Sequence, residues 1–225
     1  MPFTTLDLIA LGWFIAAWAG YAAYVEYVPK HKQSLNETMN DYRVVWMRRM
    51  LDREMRMVDM QVMASLQNGT AFFASTSLLA IGGALTVLRS TDDALNVMAQ
   101  LPLGIASTRI LWEIKAIGLA VIFVYAFFKF AWSYRLFNYV AIMLGAMPHE
   151  HEKDTPEAES HVQRTAALFA AAGRHFNHGQ RAFFFALGYL GWFMSPVVLI
   201  VTTAAVLFVM WWRQFQSDAR RAMDA

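Results

Sequence analysis

AFFFALGYLGWFMSPVVLIVTTAAVLFVMWW, residues 182–212, runs for 31 positions without a charged side chain. A helix crossing the hydrocarbon core of a bilayer needs about 20 apolar residues. In lipid only a helix or a closed barrel can answer its own backbone N–H and C=O groups. This stretch therefore reads as a membrane helix. The remainder of the chain repeats the signal: Leu8–Val25 is uncharged between Asp7 and Glu26, Thr70–Leu88 is uncharged up to Arg89, and Ala116–Met147 is interrupted only by Lys129 and Arg135. The expected fold is all-α, a polytopic membrane helical bundle forming one domain over residues 1–225. Its four transmembrane helices fall at about 6–27, 69–89, 113–136 and 182–212.

Composition narrows the class further. The chain is 57% hydrophobic, 15% aromatic and only 16% charged, against about 25% charged in soluble domains. It is too apolar to be disordered. The absence of cysteine excludes a disulfide framework or a thiolate zinc site. Mean hydropathy is a modest +0.33, which calls for polar helices outside the bilayer. Two amphipathic cytoplasmic helices are expected, at about 40–67 and 156–178. In the first, Val44, Met47, Leu51, Met55, Val58, Val62 and Leu66 step by threes and fours along one face, opposite Arg49, Arg53 and Arg56. The second opens at Thr155-Pro156-Glu157, a capping hydroxyl followed by proline at the first position. Its stripe of Ala158, Val162, Thr165, Phe169, Ala172 and Phe176 has coiled-coil-like spacing.

Length links the two parts. Rising 1.5 Å per residue, a 31-residue helix is about 46 Å long, against about 30 Å of hydrocarbon. With Lys115 at the outer interface, Arg135 lies about 30 Å deeper and marks the inner one. Leu136–Met147 and the start of the last span then protrude as apolar helices that the amphipathic ones must cover. The expectation is a membrane bundle continuing into long cytoplasmic helical extensions.

Orientation follows from Lys and Arg near the span ends. The first connection holds Lys30, Lys32, Arg43, Arg48, Arg49, Arg53 and Arg56, and the third holds Lys153, Arg164, Arg174 and Arg181. The second has only Arg89 and Arg109. That places both large connections in the cytoplasm and both termini in the periplasm of a bacterial inner membrane, with Arg213, Arg220 and Arg221 standing against it. The opening segment lacks the basic region of a signal peptide, and its first span reads as a retained anchor. Gly12, Ala16 and Gly20 give that span a small-residue face. Gly82-Gly83 do the same for the second span, and Ser195-Pro196 reads as a kink within the fourth.

No nucleophile constellation, phosphate loop or paired-carboxylate motif is present, so an enzyme is not the expectation. The basic residues follow topology, so no nucleic-acid partner is expected; the bilayer is. Lys129 interrupts an apolar run, as a cation facing a polar cavity would, or as a lysine snorkelling to the interface along its own stem. Glu26, Glu113 and Lys115 sit at span mouths, where interfacial anchoring competes with a site role. His175 and His178 are three apart and are the metal or haem candidates; more simply, with Arg174, Asn177 and Arg181, they form a polar junction where Gly179 breaks the helix before the fourth span. His149-Glu150-His151-Glu152 alternates ligand types, but no HExxH spacing occurs. No cofactor is expected. Met47, Met50, Met55, Met57, Met60 and Met63 form an adaptable packing face, with soft copper(I) binding the sharper alternative. Met57 and Met60 fall on its arginine side and hint at a further contact.

The runs Glu54-Met55-Arg56-Met57-Val58-Asp59, Ala71-Phe72-Phe73-Ala74-Ser75-Thr76, Phe128-Lys129-Phe130-Ala131-Trp132-Ser133-Tyr134-Arg135 and Arg174-His175-Phe176-Asn177-His178-Gly179-Gln180-Arg181 resemble an uncharacterised four-span membrane family of bacteria and plants. It is known only as a domain of unknown function. The resemblance implies a multi-pass membrane protein and brings no activity, substrate or cofactor.

Three functional readings follow. The first is an oligomeric channel- or transporter-like protein favouring anions, its polar path lined by Lys129, Arg135, Asn138, Asn177 and Arg181. The second is an accessory or scaffold subunit of a larger membrane complex. The third is a metal- or haem-binding membrane protein using His175 and His178.

Overall fold

The computed structural model describes residues 3–27, 35–100, 108–218 and 222–223. They form α1 (Thr5–Tyr27), α2 (Leu35–Met50), α3 (Met57–Arg89), α4 (Thr91–Gln100), α5 (Arg109–Gly145), a 3-10 turn at Glu150–Glu152, α6 (Pro156–Tyr189), α7 (Gly191–Met194) and α8 (Pro196–Phe215). The described residues contain no strand. The chain is an all-α helical bundle in which α1, α3, α5 and α8 are long and apolar enough to cross a membrane.

Side-chain caps set several helix starts. Thr4 and Asp7 form a reciprocal pair: Asp7 N–H donates to Thr4 Oγ1 at 3.1 Å, and Thr4 N–H donates to Asp7 Oδ2 at 3.0 Å. Thr108 Oγ1 accepts from Leu111 N–H ahead of α5. Thr155 Oγ1 accepts from Ala158 N–H at the start of α6, with Pro156 in the first position.

The helices α3, α5 and α6, of 33, 37 and 34 residues, are about 50–55 Å long and outrun a bilayer of about 30 Å. They fold as two stacked cores. One surrounds Phe14, Phe130, Phe185, Tyr189 and Trp192 between α1, α5, α6 and α8. The other surrounds Met47, Met50, Met63, Phe137, Val140, Val162 and Phe169 between α2, α3, α5 and α6. Contacts across the helices define two ends. Asp7, Trp192 and Lys115 meet at one. Glu26 and His178 meet where the first core gives way to the second.

Three expectations are corrected. First, the amphipathic helix at 40–67 is two helices. The chain breaks after Met50 and resumes at Met57 as the first turns of α3. Met47, Met50, Leu51 and Met63 are buried, but Met55 is 82% exposed and Val58 70%. The face of α3 turned inward is instead Asp59, Met63, Thr70, Ser77 and Ala84. Asp59 fixes that rotation by accepting from Trp46 Nε1 and Arg53 Nη1, both at 2.6 Å. A carboxylate with two good donors is held inside more firmly than an aliphatic group that could pack elsewhere.

Second, Gly179 does not end a helix; α6 runs through it to Tyr189. The glycine is a point of close approach, since a Cβ there would lie 2.7 Å from the Phe130 ring of α5.

Third, residues 182–212 are not one kinked span. The chain turns at Leu190–Ser195, and α8 returns along α6. Thr202 Oγ1 donates to Gly188 O at 2.7 Å, and Arg213 lies over the Phe184 ring. Ser195 is extended and caps α8, accepting from Val198 N–H at 3.2 Å, with Pro196 as its first residue. The last third of α6 thus runs alongside the four long apolar helices. Consequently α8 is parallel to α1: Tyr21 Oη donates to Met210 O, and Tyr24 packs on Phe215. The first turn of α1 and the last turn of α8 lie at opposite ends of the bundle. Lys30, Lys32, Arg220 and Arg221 lie outside the described residues.

Candidate functional site

Where α1 ends, α2 crosses beneath it and α6 passes both, two adjoining chambers open. One, of about 270 Å³, is walled by Tyr21 and Val25 of α1, Asn36 of α2, Gln180 and Arg181 of α6, and Arg213 and Gln214 of α8. The other, of about 180 Å³, is walled by Glu26, Glu37, Asn40, Arg43, Arg174 and His178. Asn177 and Arg181 belong to both walls. The geometry is simple: α6 presents 174, 177, 178 and 181 at i, i+3, i+4 and i+7, one continuous face. Sequence spacing already placed these four together, and α2 and α8 close the space around them.

Arg181 is the central group. Only 9% of it is exposed, and its Nη1 has no hydrogen-bond partner. Its Nε reaches Asn177 O at a long 3.4 Å. No carboxylate pairs with Arg43, Arg174, Arg181 or Arg213 among the described residues. Arg43 bonds Asn40 Oδ1 and lies 4.9 Å above the Phe169 ring. Burial, and then Arg174, lower its pKa below the ordinary guanidinium value. An unanswered buried charge costs several kcal/mol, so a cluster of this kind is an anion-seeking arrangement.

Glu26 and Glu37 are the carboxylates in the wall. Glu26 Oε1 comes within 2.8 Å of His178 Nε2, but off the line of a hydrogen bond. Burial, followed by Arg181, pushes the His178 imidazole down to about 4, with Glu26 opposing and Lys129 adding to the shift. His178 is therefore neutral at pH 7, and the chamber is cationic through its guanidinium groups.

The expected path is only partly assembled here. Asn177 and Arg181 line the chambers. Lys129 is half-buried, 5.2 Å over the Tyr125 ring, and near enough to depress both His175 and His178. Arg135 is exposed on the outer face of α5, where its Nε donates to Tyr139 Oη at 2.7 Å. Asn138 faces α3, accepting from Gln67 Nε2 at 2.7 Å. Those two do not join the site. The His175 and His178 rings stand 6.3 Å apart, but no group of three or more His, Cys, Asp or Glu side chains converges on a metal-sized point among the described residues. Arg43 and Arg213 were not singled out by sequence reasoning. Both are remote in sequence from Arg181 and reach it only through the packing of α2 and α8.

A family model described as "Protein of unknown function, DUF599" matches residues 9–219. The chain belongs to that family. No curated protein and no solved structure matches it significantly. Family membership brings no activity, so the chemistry rests on the two chambers: donors from arginine and amide side chains, the Glu26 and Glu37 carboxylates, one neutral imidazole, and volumes each below the roughly 300–1,000 Å³ of organic-ligand pockets. That inventory suits a small anion or an anionic head group.

Proposed function

We propose that this is an integral membrane protein that binds an anion at the Arg181 chamber and handles it in a channel- or transporter-like manner. The observation that carries the reading is the unpaired Nη1 of a guanidinium that is only 9% exposed. Purified full-length protein in non-ionic detergent is expected to gain thermal stability with sulfate, and Arg181→Gln to lose that gain. A wild-type protein indifferent to sulfate overturns the reading. Labelled-sulfate flux from proteoliposomes, against empty vesicles, separates passage from binding alone.

We further propose that the chamber faces the cytoplasm, with the start of α1 outside and the end of α8 inside. Among the described residues, Arg89, Arg109 and Lys115 are the basic side chains toward the Asp7 end; the others lie toward or beyond Glu26. The Arg213 objection disappears once α8 runs parallel to α1. Exposed Tyr24, Trp132, Tyr134, Tyr139, Trp211 and Trp212 supply an aromatic belt at the depth of the chamber. The chain has no cysteine, so single replacements are clean reporters. An impermeant maleimide applied to intact cells is expected to label Asp93→Cys and to spare Met223→Cys.

One observation favours a second reading, self-association or docking on a larger membrane complex. Met55, Met57 and Val58 are 82%, 76% and 70% exposed at the end of the second core, beyond the reach of lipid in this orientation. Native mass spectrometry of mildly solubilised protein tests it, with a lone monomer as the opposing result.

A further inference from the structure

The second polar chamber has an apolar neighbour. Between α2, which packs on α6, and α3, which packs on α5, lies a groove of about 630 Å³ walled by Trp46, Leu66, Phe137, Phe169 and Phe176. That volume lies within the roughly 300–1,000 Å³ typical of organic-ligand sites, and its lining is mostly aromatic and aliphatic. Arg43 is the one charged residue in the wall among the described residues. Arg43 and Asn177 also line the polar chamber beside Arg181, so groove and chamber share a partition.

The placement of Arg43 at this partition is specific. Its guanidinium is steered by Asn40 and by the Phe169 ring. It also rests on Gly173, where a Cβ would come within 2.7 Å of Nη2. A cation is thus held at one end of an apolar slot, next to a second guanidinium whose Nη1 has no partner. The slot lies at the depth of the exposed Tyr134 and Tyr139, which flank the groove residue Phe137 along α5, where a bilayer supplies amphiphiles.

From this juxtaposition we infer that the anion bound at Arg43 and Arg181 is the head group of a single-chain amphiphile, a long-chain carboxylate, whose tail occupies the groove. The inference rests on the chamber being an anion site and names the class of its ligand. A neutral lipid would bring no counter-charge to the two guanidinium groups, and a small inorganic anion would leave the groove unfilled.

Gly69 supplies the discriminating variant. It lines the groove, and a Cβ there meets nothing within 4 Å, so Gly69→Leu can place its side chain in the slot. The probe is a brominated eighteen-carbon fatty acid, titrated into full-length protein in nanodiscs of zwitterionic phosphatidylcholine while tryptophan fluorescence is read. Saturable quenching is expected, with Trp46→Phe removing part of it because Trp46 stands in the groove wall. Gly69→Leu and Arg43→Gln are each expected to raise the half-saturating concentration by about tenfold or more. The brominated methyl ester should not quench saturably. Sulfate-dependent stabilisation of Gly69→Leu should match wild type. Equal quenching by acid and ester, or quenching indifferent to Gly69→Leu while sulfate still binds, overturns the amphiphile assignment alone. Absence of sulfate binding in the wild-type protein overturns the chamber reading and this inference with it.

Discussion

The two ends of the first core each bury charge, and they do so in opposite ways. At the far end Asp7 is 2% exposed and Lys115 3%. Every oxygen of Asp7 is answered: Oδ1 accepts from Trp192 Nε1 at 2.8 Å, and Oδ2 from the Thr4 hydroxyl at 2.7 Å and the Thr4 N–H at 3.0 Å. Lys115 sits 5.4 Å over the Trp192 ring and supplies the opposite charge. At the near end Arg181 is buried beside Arg43 and Arg174, with one nitrogen bare. The carboxylate of the first cluster is fully answered within the fold, and it reads as structural. The second is complete only with something added.

The sharpest way to break this contrast is to remove its self-sufficient member. Asp7→Ala deletes the helix cap and the acceptor of the Trp192 N–H, and it strands Lys115. Losing one partner of a buried charge cluster costs about 3–5 kcal/mol. The variant should unfold at markedly lower temperature in detergent, while whatever remains folded still gains stability with sulfate. A variant of wild-type stability would show that the Asp7 cluster holds nothing together.

The opposite sign is expected at the other end. Arg181→Met roughly keeps volume and removes a buried charge with no carboxylate partner among the described residues, and with it a desolvation penalty of several kcal/mol per ion. Ligand-free Arg181→Met should therefore melt no lower than wild type and should lose its response to sulfate. If it is destabilised as strongly as Asp7→Ala, both ends are structural and the contrast collapses.

A third comparison, smaller in effect, sets Gly179 against Gly69. A methyl group at Gly179 presses on the Phe130 ring, and overpacking of this kind costs about 1–3 kcal/mol. At Gly69 the space is open, and Gly→Ala within a helix gains about 1 kcal/mol. Thermal melts of Gly179→Ala and Gly69→Ala should move in opposite directions, and parallel shifts would mean that α5 and α6 do not approach closely at Gly179.

The contrast also explains what was legible in the sequence. Uncharged runs revealed the membrane class and the long helices, because lipid enforces apolarity wherever a helix crosses. The same rule hid the reversal at Leu190–Ser195. Two helix segments joined by a short apolar turn look like one long apolar run, within which Ser195-Pro196 reads as a kink. Yet Ser-Pro there is the same start signal as the capping Thr155-Pro156. The Arg213 anomaly was the second clue. In the site, one helix face of α6 was readable from i, i+3, i+4 and i+7 spacing. Arg43 and Arg213 were not, because only the tertiary path of α2 and α8 brings them in. Arg135 and Asn138 are on the same helix as Lys129, but they rotate away from the chamber, and periodicity within an unbroken apolar run does not report which face turns inward. Asp59 shows the same difficulty from the other side: a lone carboxylate among methionines decides the rotation of α3 once Trp46 and Arg53 supply donors.

The smallest expected effect is a dependence on pH through His178. Facing it are Glu26 from α1, Lys129 from α5, Arg43 and Glu37 from α2, and Arg174, His175 and Arg181 from α6. With its folded pKa lowered from 6.5 to about 4, the neutral ring contributes stability that is present above pH 6.5 and lost as pH falls toward 4. A bound anion offsets the repulsion from Arg181 and raises the pKa of the imidazole, so binding takes up a proton. Affinity must then rise as pH falls. Sulfate, which does not titrate in this range, should bind about twofold more tightly at pH 5 than at pH 7 if binding raises the imidazole pKa by about one unit from 4, a shift whose full tenfold limit is reached only at lower pH. His178→Gln should flatten that slope while leaving binding at pH 7 close to wild type. A slope that survives the substitution would assign the proton to another group and detach His178 from the Arg181 chamber.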